Sequence, residues 1–226
     1  MNDIKILYED NHLIAVFKPA GILSQPDKTG DISIIDEVKK YLKEKYKKPG
    51  QVFLGLLHRL DRPVSGIILF AKTSKGASRL SEQFRNHTIE KTYHAIVVGK
   101  PEKSRGVLTN LLGKDTKSMK AREFADGQEA VLHYEVIKSN EKPIGTAQGR
   151  YSLLKIKIEG GKFHQIRAQL SLAGFPILGD MKYGAKAPLP DEVIALCATS
   201  LSFKKATEDT IVDVVIDLPK EWSNYI

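Results

Sequence analysis

The sequence has little of the chemistry that redox enzymes and metalloenzymes use. It contains one cysteine, Cys197, so an intrachain disulfide and a cysteine-based metal site are both excluded. Cys197 lies in an apolar run, which favours a buried, unreactive thiol over a nucleophile. The six histidines show no paired ligand spacing with carboxylates. A metal-dependent enzyme is therefore the least favoured class.

Long hydrophobic runs are absent as well. No apolar run approaches the roughly 20 residues that a membrane-spanning helix needs, and the first ten residues lack the basic-then-apolar plan of a signal peptide. We therefore expect a cytoplasmic protein that is not inserted in a membrane. Positive charge is in excess, with 35 Lys and Arg against 27 Asp and Glu and a formal net charge of +8. This balance favours a polyanionic partner, either nucleic acid or an acidic membrane face.

Apolar runs closed by breakers predict strands, and apolar residues at helical spacing predict helices. The predicted strands cover residues 4–8, 13–17, 51–57, 67–71, 93–98, 130–137, 151–158, 193–203 and 210–218. A helix is predicted after Ser33, where Ile35, Val38, Leu42 and Tyr46 recur at helical spacing and form its inward stripe. Two more helices are predicted, one after Thr73 or Ser74 and one over residues 163–173. Because few strands are joined by a helix, we expect an α+β fold with a mixed, mostly antiparallel sheet flanked by helices. No repeat or linker divides the chain, so we expect a single domain over residues 1–226.

The segment 99–128 is polar and charged, which predicts an exposed arm or hairpin on the basic side of the molecule. Its cations are Lys114, Lys117, Lys120 and Arg122. Such a cluster is suited to contacts with phosphates.

Asp61 is a carboxylate in unusual surroundings. It stands between two arginines on a short turn bounded by Pro63 and Gly66, and apolar runs precede and follow this turn. Asp61 would thus lie on a loop held rigidly by the core on both sides, which is where catalytic residues concentrate. The alternative, taken from this segment alone, is an aspartate that simply pairs with Arg59 or Arg62 at a turn.

Four separated segments carry recognisable motifs: residues 17–21 with Pro26, the Asp61 turn, residues 90–95, and residues 160–167 with 179–184. Together they resemble the RluA-type family of RNA pseudouridine synthases, over about residues 10–203 and in the family's order. The resemblance implies a catalytic domain of the pseudouridine synthase fold that isomerises uridines in structured RNA, a stem-loop of rRNA or tRNA, without cofactor or metal. It also implies a monomer. Many relatives carry a small N-terminal RNA-binding module, and we expect none here.

The resemblance assigns roles to individual residues. Asp61 takes the place of the catalytic aspartate, and Arg167 that of the arginine paired with it. Tyr93 is expected to lie against the target base, with Ile177 or Leu178 packing under it. RNA contacts are expected at five positions: Arg59, His58, Lys18, Lys162 and His164.

The chemistry suits a carboxylate. Pseudouridine formation breaks the N1–C1′ bond and rejoins uracil through C5, so Asp61 could attack C1′ or remove the C2′ proton. A dry pocket opposes ionisation of Asp61, and an arginine such as Arg167 would restore it through two parallel hydrogen bonds. The C5 proton must also leave, with help from Tyr93 or a water. His164 could equally be a helix-cap residue.

Two other function classes stay open. A non-catalytic RNA-binding protein would use the basic surface alone, and a nucleosidase would use Asp61 but release free uracil. The sequence departs from the family at Lys162-Phe163, where Arg-Thr or Arg-Ser is common, and at Arg62-Pro63-Val64, which follows Asp61. These departures touch substrate choice more than the reaction.

Overall fold

A computed structural model describes residues 4–140 and 150–226. Tertiary contacts group the chain into two compact units. Unit 1 comprises the residues up to Glu90 together with Ser200–Ile216, and unit 2 comprises Lys91–Thr199 together with Asp217–Ile226. The expectation of one domain stays a prediction. No helix in the described part of the chain is long and apolar enough to cross a membrane.

The described residues form eleven strands and three α-helices. The strands are β1 (Ile6–Glu9), β2 (Leu13–Lys18), β3 (Gly55–Leu56), β4 (Ser65–Ala71), β5 (Glu90–Val98), β6 (Arg105–Asp115), β7 (Lys120–Glu123), β8 (Gln128–Ser139), β9 (Tyr151–Glu159), β10 (Leu196–Lys204) and β11 (Ile211–Val215). The helices are α1 (Ile34–Lys45), α2 (Ser74–Arg85) and α3 (Gln165–Leu172). The α+β prediction is confirmed.

In unit 1 the strand order is β1, β2, β4 and then β10, of which Ser200–Lys204 belong to this unit. Residues of β2 and β4 alternate between two hydrophobic clusters: Ile67, Leu69 and Ala71 pack with Leu80 of α2, whereas Ile68 and Phe70 pack with α1. Successive side chains of a strand point to opposite faces, so both faces of β4 are covered. This explains why β4 reads as one continuous apolar run.

The first helix shows how the sequence signals act. Ser33 is its N-cap, and its hydroxyl donates to the Asp36 carboxylate at 2.6 Å rather than accepting from the backbone. The predicted inward residues Ile35, Val38 and Leu42 are buried. Tyr46, predicted to continue this buried stripe, is the C-cap and is 46% exposed. The prediction is wrong there because the helix ends before the stripe completes its next turn.

The second predicted helix starts as expected. Thr73 is the N-cap of α2, and its side chain accepts a hydrogen bond from the Gly76 N–H at 3.1 Å. In contrast, the strand predicted over 51–57 is reduced to the two residues of β3. Val52 and Leu54 are buried in the α1 cluster, so they produce an apolar pattern without strand pairing.

In unit 2 the strand order is β10, β5, β9, β8, β6 and β7, where Leu196–Thr199 of β10 belong to this unit. The β5–β9, β8–β9, β6–β8 and β6–β7 pairs are antiparallel. The polar segment 99–128 thus folds as strands, and β6 and β7 form the predicted hairpin. Its connecting turn is stabilised by Asp115, whose carboxylate accepts from the Ser118 hydroxyl at 2.6 Å. Helix α3 packs against β6, β7 and β8.

Candidate active site

The Asp61 turn leads from β3 into β4 and is anchored on both sides of the carboxylate. On one side, the buried Ser24 hydroxyl donates to the Leu60 carbonyl at 2.6 Å and accepts from the Leu60 N–H at 3.1 Å. On the other side, the Gly21 N–H donates to the Arg62 carbonyl at 2.8 Å. Within the turn, Val64 N–H donates to the Asp61 carbonyl at 3.0 Å. The backbone that carries Asp61 is therefore fixed by residues about 40 positions earlier in the chain.

Lys18 adds further hydrogen bonds between the loop at residues 19–22 and the Asp61 turn. Its side chain is 0% exposed, and its ammonium donates to the carbonyls of Pro19, Ile22 and Arg62 at 2.9, 2.7 and 3.3 Å. Burial lowers the pKa of Lys18 from the ordinary value of 10.5 to about 7, although the negative charge of Asp61 acts in the opposite direction. Lys18 has no exposed surface and its side-chain nitrogen is occupied by these three carbonyls, and its phosphate contact stays a prediction. Within unit 1, Lys18 joins the two loops and lies close enough to Asp61 to feel its charge.

The two arginines that flank Asp61 are both exposed. Arg62 donates through Nε to the Gly21 carbonyl at 3.0 Å and forms an ion pair with Asp31 at 2.8 Å. Arg62 thus has partners of its own, and its side chain ties the Asp61 turn to the preceding loop. Arg59 stays the predicted RNA contact, and its exposure is compatible with that role.

His58 has a backbone partner. Its Nε2 accepts a hydrogen bond from the Leu69 N–H at 2.9 Å, and its ring lies 5.3 Å from that of Phe84. A histidine nitrogen that accepts from an N–H carries no proton. Because Leu69 belongs to β4, this hydrogen bond joins β4 to the segment that leads into the Asp61 turn. The RNA contact of His58 stays a prediction, and the structure shows that its ring also braces β4.

Arg167, the predicted partner of the catalytic carboxylate, belongs to unit 2. Arg167 lies on α3 with 5% of its surface exposed, and Asp180 is 1% exposed. Arg167 Nε and Nη2 donate to the two oxygens of Asp180 at 2.7 and 2.9 Å. This is a bidentate, charge-assisted pair in which both groups are desolvated. A guanidinium carries five N–H groups, so it can serve Asp180 and a second carboxylate together.

Asp180 was missed as a functional residue at the level of sequence. It lies in the motif 179–184, but its neighbours gave no sign of a partner 13 residues away on α3. Since Asp61 belongs to unit 1 and Arg167 to unit 2, the pairing of these two residues stays a prediction.

His164 directly precedes α3 and adopts a left-handed backbone conformation, with φ of 50°. It occupies the N-cap position but makes no side-chain cap hydrogen bond. Its Nδ1 lies 2.9 Å from the Tyr183 hydroxyl, and its Nε2 lies 3.4 Å from Arg167 Nη1. Strained backbone of this kind persists only where its surroundings hold it. His164 therefore faces Arg167 and Tyr183, and its predicted RNA contact is untested.

The residues expected to hold the base lie in unit 2. Tyr93 is on β5 and is 8% exposed, and Ile177 and Leu178 are 0% and 6% exposed. Ile177 forms an isolated bridge with Val97 of β5, so these apolar residues are fixed next to the strand that carries Tyr93. Stacking of a base on them stays a prediction.

Lys162 and the basic hairpin lie around the start of α3. Lys162 Nζ donates to Gln128 Oε1 at 2.9 Å. Phe163 stacks on the ring of His164 at 3.8 Å, and Lys114 of the hairpin lies 5.0 Å from the centre of the Phe163 ring. Lys91 of β5 donates to the Gly160 carbonyl. This bond fixes the Gly160-Gly161 loop, which directly precedes Lys162. The departure from the family at Phe163 therefore adds an aromatic contact between the hairpin and α3.

Metal-ligating residues do not cluster in the described residues: no group of three or more His, Cys, Asp or Glu side chains there could hold a metal ion. The chemical groups near Asp61 in unit 1 are an ammonium, backbone amides and exposed guanidinium groups. Such groups hold a carboxylate and attract phosphate.

Several proteins with similar sequences are named as pseudouridine synthases. The chain is 32% identical to a Bacillus subtilis protein described as an uncharacterized RNA pseudouridine synthase, over 98% of this chain and 71% of the relative. It is 36% identical to the tRNA pseudouridine synthase C of Yersinia pestis, over 80% of this chain and 70% of that protein. It is 34% identical to the ribosomal large subunit pseudouridine synthase C of Rickettsia prowazekii, over 82% of this chain but only 58% of that protein.

The fold is shared more widely. The structure of human RNA pseudouridylate synthase domain containing 4 superposes with a TM-score of 0.76 at 24% identity, and the match covers 98% of this chain and 91% of the human one. The model of the family described as RNA pseudouridylate synthase matches residues 12–172. The chain therefore belongs to the RluA-type RNA pseudouridine synthases, isomerases that convert uridine in RNA to pseudouridine.

Proposed function

We propose that this enzyme isomerises specific uridines in a structured RNA, in rRNA or tRNA, and that Asp61 is its catalytic carboxylate. The observation that carries the proposal is the anchoring of the Asp61 turn. Hydrogen bonds from Ser24 and Gly21 fix the residues on either side of Asp61, while the carboxylate itself is only partly buried. A catalytic group needs this combination of fixed backbone and access to substrate.

Asp61 acts on the glycosidic bond in one of two ways. It attacks C1′ as the N1–C1′ bond breaks, or it removes the C2′ proton to give a glycal. In either route uracil leaves with the bonding electrons and turns, and its C5 then bonds to C1′. In the first route this step displaces the Asp61 carboxylate from C1′, and in the second Asp61 returns its proton to C2′. The proton on C5 is lost to solvent, and N1 gains one. No water is consumed, so the site must retain uracil throughout.

Arg167 is the proposed partner of Asp61. Its guanidinium is already fixed by Asp180, so it presents a positive charge without needing to reorganise during the reaction. Such a charge would stabilise the ionised form of Asp61. We expect Arg167→Lys to lower turnover far more than RNA affinity, because lysine cannot reproduce the two parallel hydrogen bonds.

RNA binding is assigned to the basic residues of both units. Arg59 is exposed next to Asp61, and we propose that it braces the space left by a flipped-out uridine. The hairpin cations and Lys162 would contact phosphates, and each of these contacts would weaken with salt. Two relatives are named for tRNA and for the large ribosomal subunit, and both RNAs are candidate substrates.

Tritium release tests the proposal. Unmodified transcripts of rRNA and of tRNAs, labelled with tritium at uridine C5, are incubated with the full chain. We expect release of tritium without free uracil, loss of release in Asp61→Asn, and unchanged release in the matched control Asp209→Asn, which alters an exposed carboxylate paired with Lys204.

Other outcomes identify the alternatives. Release together with free uracil would indicate a nucleosidase, and RNA binding without release from any transcript would indicate a non-catalytic RNA-binding protein. Release unchanged in Asp61→Asn would remove Asp61 from the mechanism. Comparing pseudouridine maps of a deletion strain and its parent then identifies the modified positions.

A further inference from the structure

Tyr183 is a buried tyrosine, 7% exposed, to which the proposed mechanism gives no task. It ends the short 3-10 helix Met181–Tyr183, of which Asp180 is the N-cap. Residues three apart in a 3-10 helix lie on the same side, and here both contact Arg167. The Asp180 carboxylate binds Nε and Nη2, and the Tyr183 ring centre lies 5.0 Å from the guanidinium carbon. One turn thus fixes Arg167 both by charge and by an aromatic face.

The hydroxyl of Tyr183 connects this turn to the hairpin. It accepts a hydrogen bond from the Ala121 N–H of β7 at 2.7 Å and lies 2.9 Å from His164 Nδ1. Ala121 is 4% exposed and packs in one cluster with Tyr183 and Ala168. The orientation of the Tyr183 ring is therefore set by the backbone of the hairpin.

The cations of the hairpin lie close to this hydrogen bond along the chain. Lys120 and Arg122 are the two neighbours of Ala121, and Lys114 is paired with Ala121 across the β6–β7 ladder. Any displacement of β7 when RNA binds these cations would move the Ala121 N–H, and with it the Tyr183 hydroxyl. One path from the hairpin to Arg167 consists of this hydrogen bond and the ring contact, and a second runs from the Tyr183 hydroxyl through His164.

We propose that Tyr183 is a positioning residue for Arg167, and that it fixes this arginine relative to the backbone of the RNA-binding hairpin. The inference rests on the proposed role of Arg167 as the partner of the catalytic carboxylate. It predicts that the hydroxyl of Tyr183 affects turnover without itself touching the RNA.

The first test compares two tyrosine hydroxyls of unit 2. Tyr183→Phe removes the hydroxyl and keeps the ring, and the matched control Tyr134→Phe does the same at a buried tyrosine of β8 that packs against Phe175. Since a displacement of about 1 Å in a catalytic group can cost about 100-fold, we expect Tyr183→Phe to lower the single-turnover rate of tritium release about 10- to 100-fold. RNA affinity should stay unchanged, and Tyr134→Phe should alter neither quantity.

A double-mutant cycle with Arg167→Lys separates positioning from general stability. If Tyr183 acts through Arg167, adding Tyr183→Phe to Arg167→Lys should lower the rate by less than about twofold, because the arginine that it positions is already gone. Rate losses that multiply would show that Tyr183 acts on the fold as a whole, and would overturn the proposal.

A readout independent of activity completes the test. Hydrogen exchange of the Arg167 Nε–H, followed by NMR, should be slow in the wild-type protein, faster in Tyr183→Phe and unchanged in Tyr134→Phe. Exchange that is equally slow in Tyr183→Phe would overturn the positioning role. If the wild-type protein releases no tritium from any RNA, the proposed function fails, whereas the exchange measurement still decides whether Tyr183 positions Arg167.

Discussion

Replacing Ser24 by alanine should separate the anchoring of Asp61 from the overall stability of the chain. Ser24 is 5% exposed, and its hydroxyl makes two hydrogen bonds to the backbone of Leu60, the residue before Asp61. Ser24→Ala removes both bonds and puts no polar atom in their place. The Leu60 N–H and carbonyl are then left in a buried environment without the hydroxyl that satisfies them.

The magnitude follows from these two bonds. A buried backbone group that loses its partner costs about 1–3 kcal/mol, so the loss of two such partners in Ser24→Ala should lower the free energy of unfolding by about 2–6 kcal/mol. The catalytic effect should exceed what this loss explains, since a carboxylate misplaced by about 1 Å can cost about 100-fold in rate. RNA affinity should change little, because Ser24 is too buried to contact RNA.

Urea denaturation and single-turnover tritium release measure the two effects separately. Ser223→Ala is the matched control, because its hydroxyl donates to the Lys220 carbonyl at 2.8 Å in an exposed position, and it should change neither quantity. Ser24→Thr keeps the hydroxyl and should recover part of the rate. If Ser24→Ala loses no more stability than the control, or if its rate falls only in proportion to its folded fraction, the anchoring argument is refuted.

Two further predictions concern buried charges. Asp180→Asn should lower the free energy of unfolding by about 3–5 kcal/mol, because it leaves the charge of Arg167 buried without its carboxylate, whereas Asp209→Asn at an exposed pair should have little effect. Chemical denaturation of both variants checks this, and equal costs would show that the Arg167 charge is compensated by other groups. The lowered pKa of Lys18, about 7 against the ordinary 10.5, means that the folded chain releases this proton before the unfolded chain does, so the contribution of Lys18 to stability should increase as pH rises from about 7 towards 10.5. Its ¹³Cε shift should titrate near pH 7, and a titration near 10.5 would contradict the buried environment.

The fold could be predicted from sequence where packing and pairing demand the same pattern. The runs of β2 and β4 are apolar throughout because both faces of these strands are covered, by the clusters of α1 and α2. The segment 51–57 shows the limit of this reasoning. Val52 and Leu54 pack against α1 as strand residues would, yet the backbone pairs only at Gly55–Leu56. Apolar spacing records which side chains are buried, but it does not record where the backbone hydrogen bonds go.

The residue types of the candidate site could be inferred from the sequence, whereas the long-range hydrogen bonds that hold them in place could not. The Asp61 turn can be read directly from residues 58–66, because an aspartate between arginines at a tight turn is unusual. Ser24 could not be identified as its anchor, since no local rule relates a serine to a backbone 36 residues away. Lys18 was predicted to contact RNA, and nothing in the sequence indicated that three carbonyls would converge on its ammonium. Long-range hydrogen bonds of this kind leave no periodic pattern.

The motif segments that carry the family resemblance contain more residues than the chemistry requires, and the structure gives several of them a task. Lys18 and Gly21 belong to the first segment and fix the Asp61 turn within unit 1. Asp180 and Tyr183 belong to the last segment and fix Arg167 within unit 2. Each proposed catalytic group is therefore held by its own unit before any RNA binds, as expected where electrostatic stabilisation depends on groups that need not reorganise. On this view a substitution at an anchoring residue should reduce turnover and leave RNA affinity intact, whereas a substitution in the hairpin cations should do the reverse.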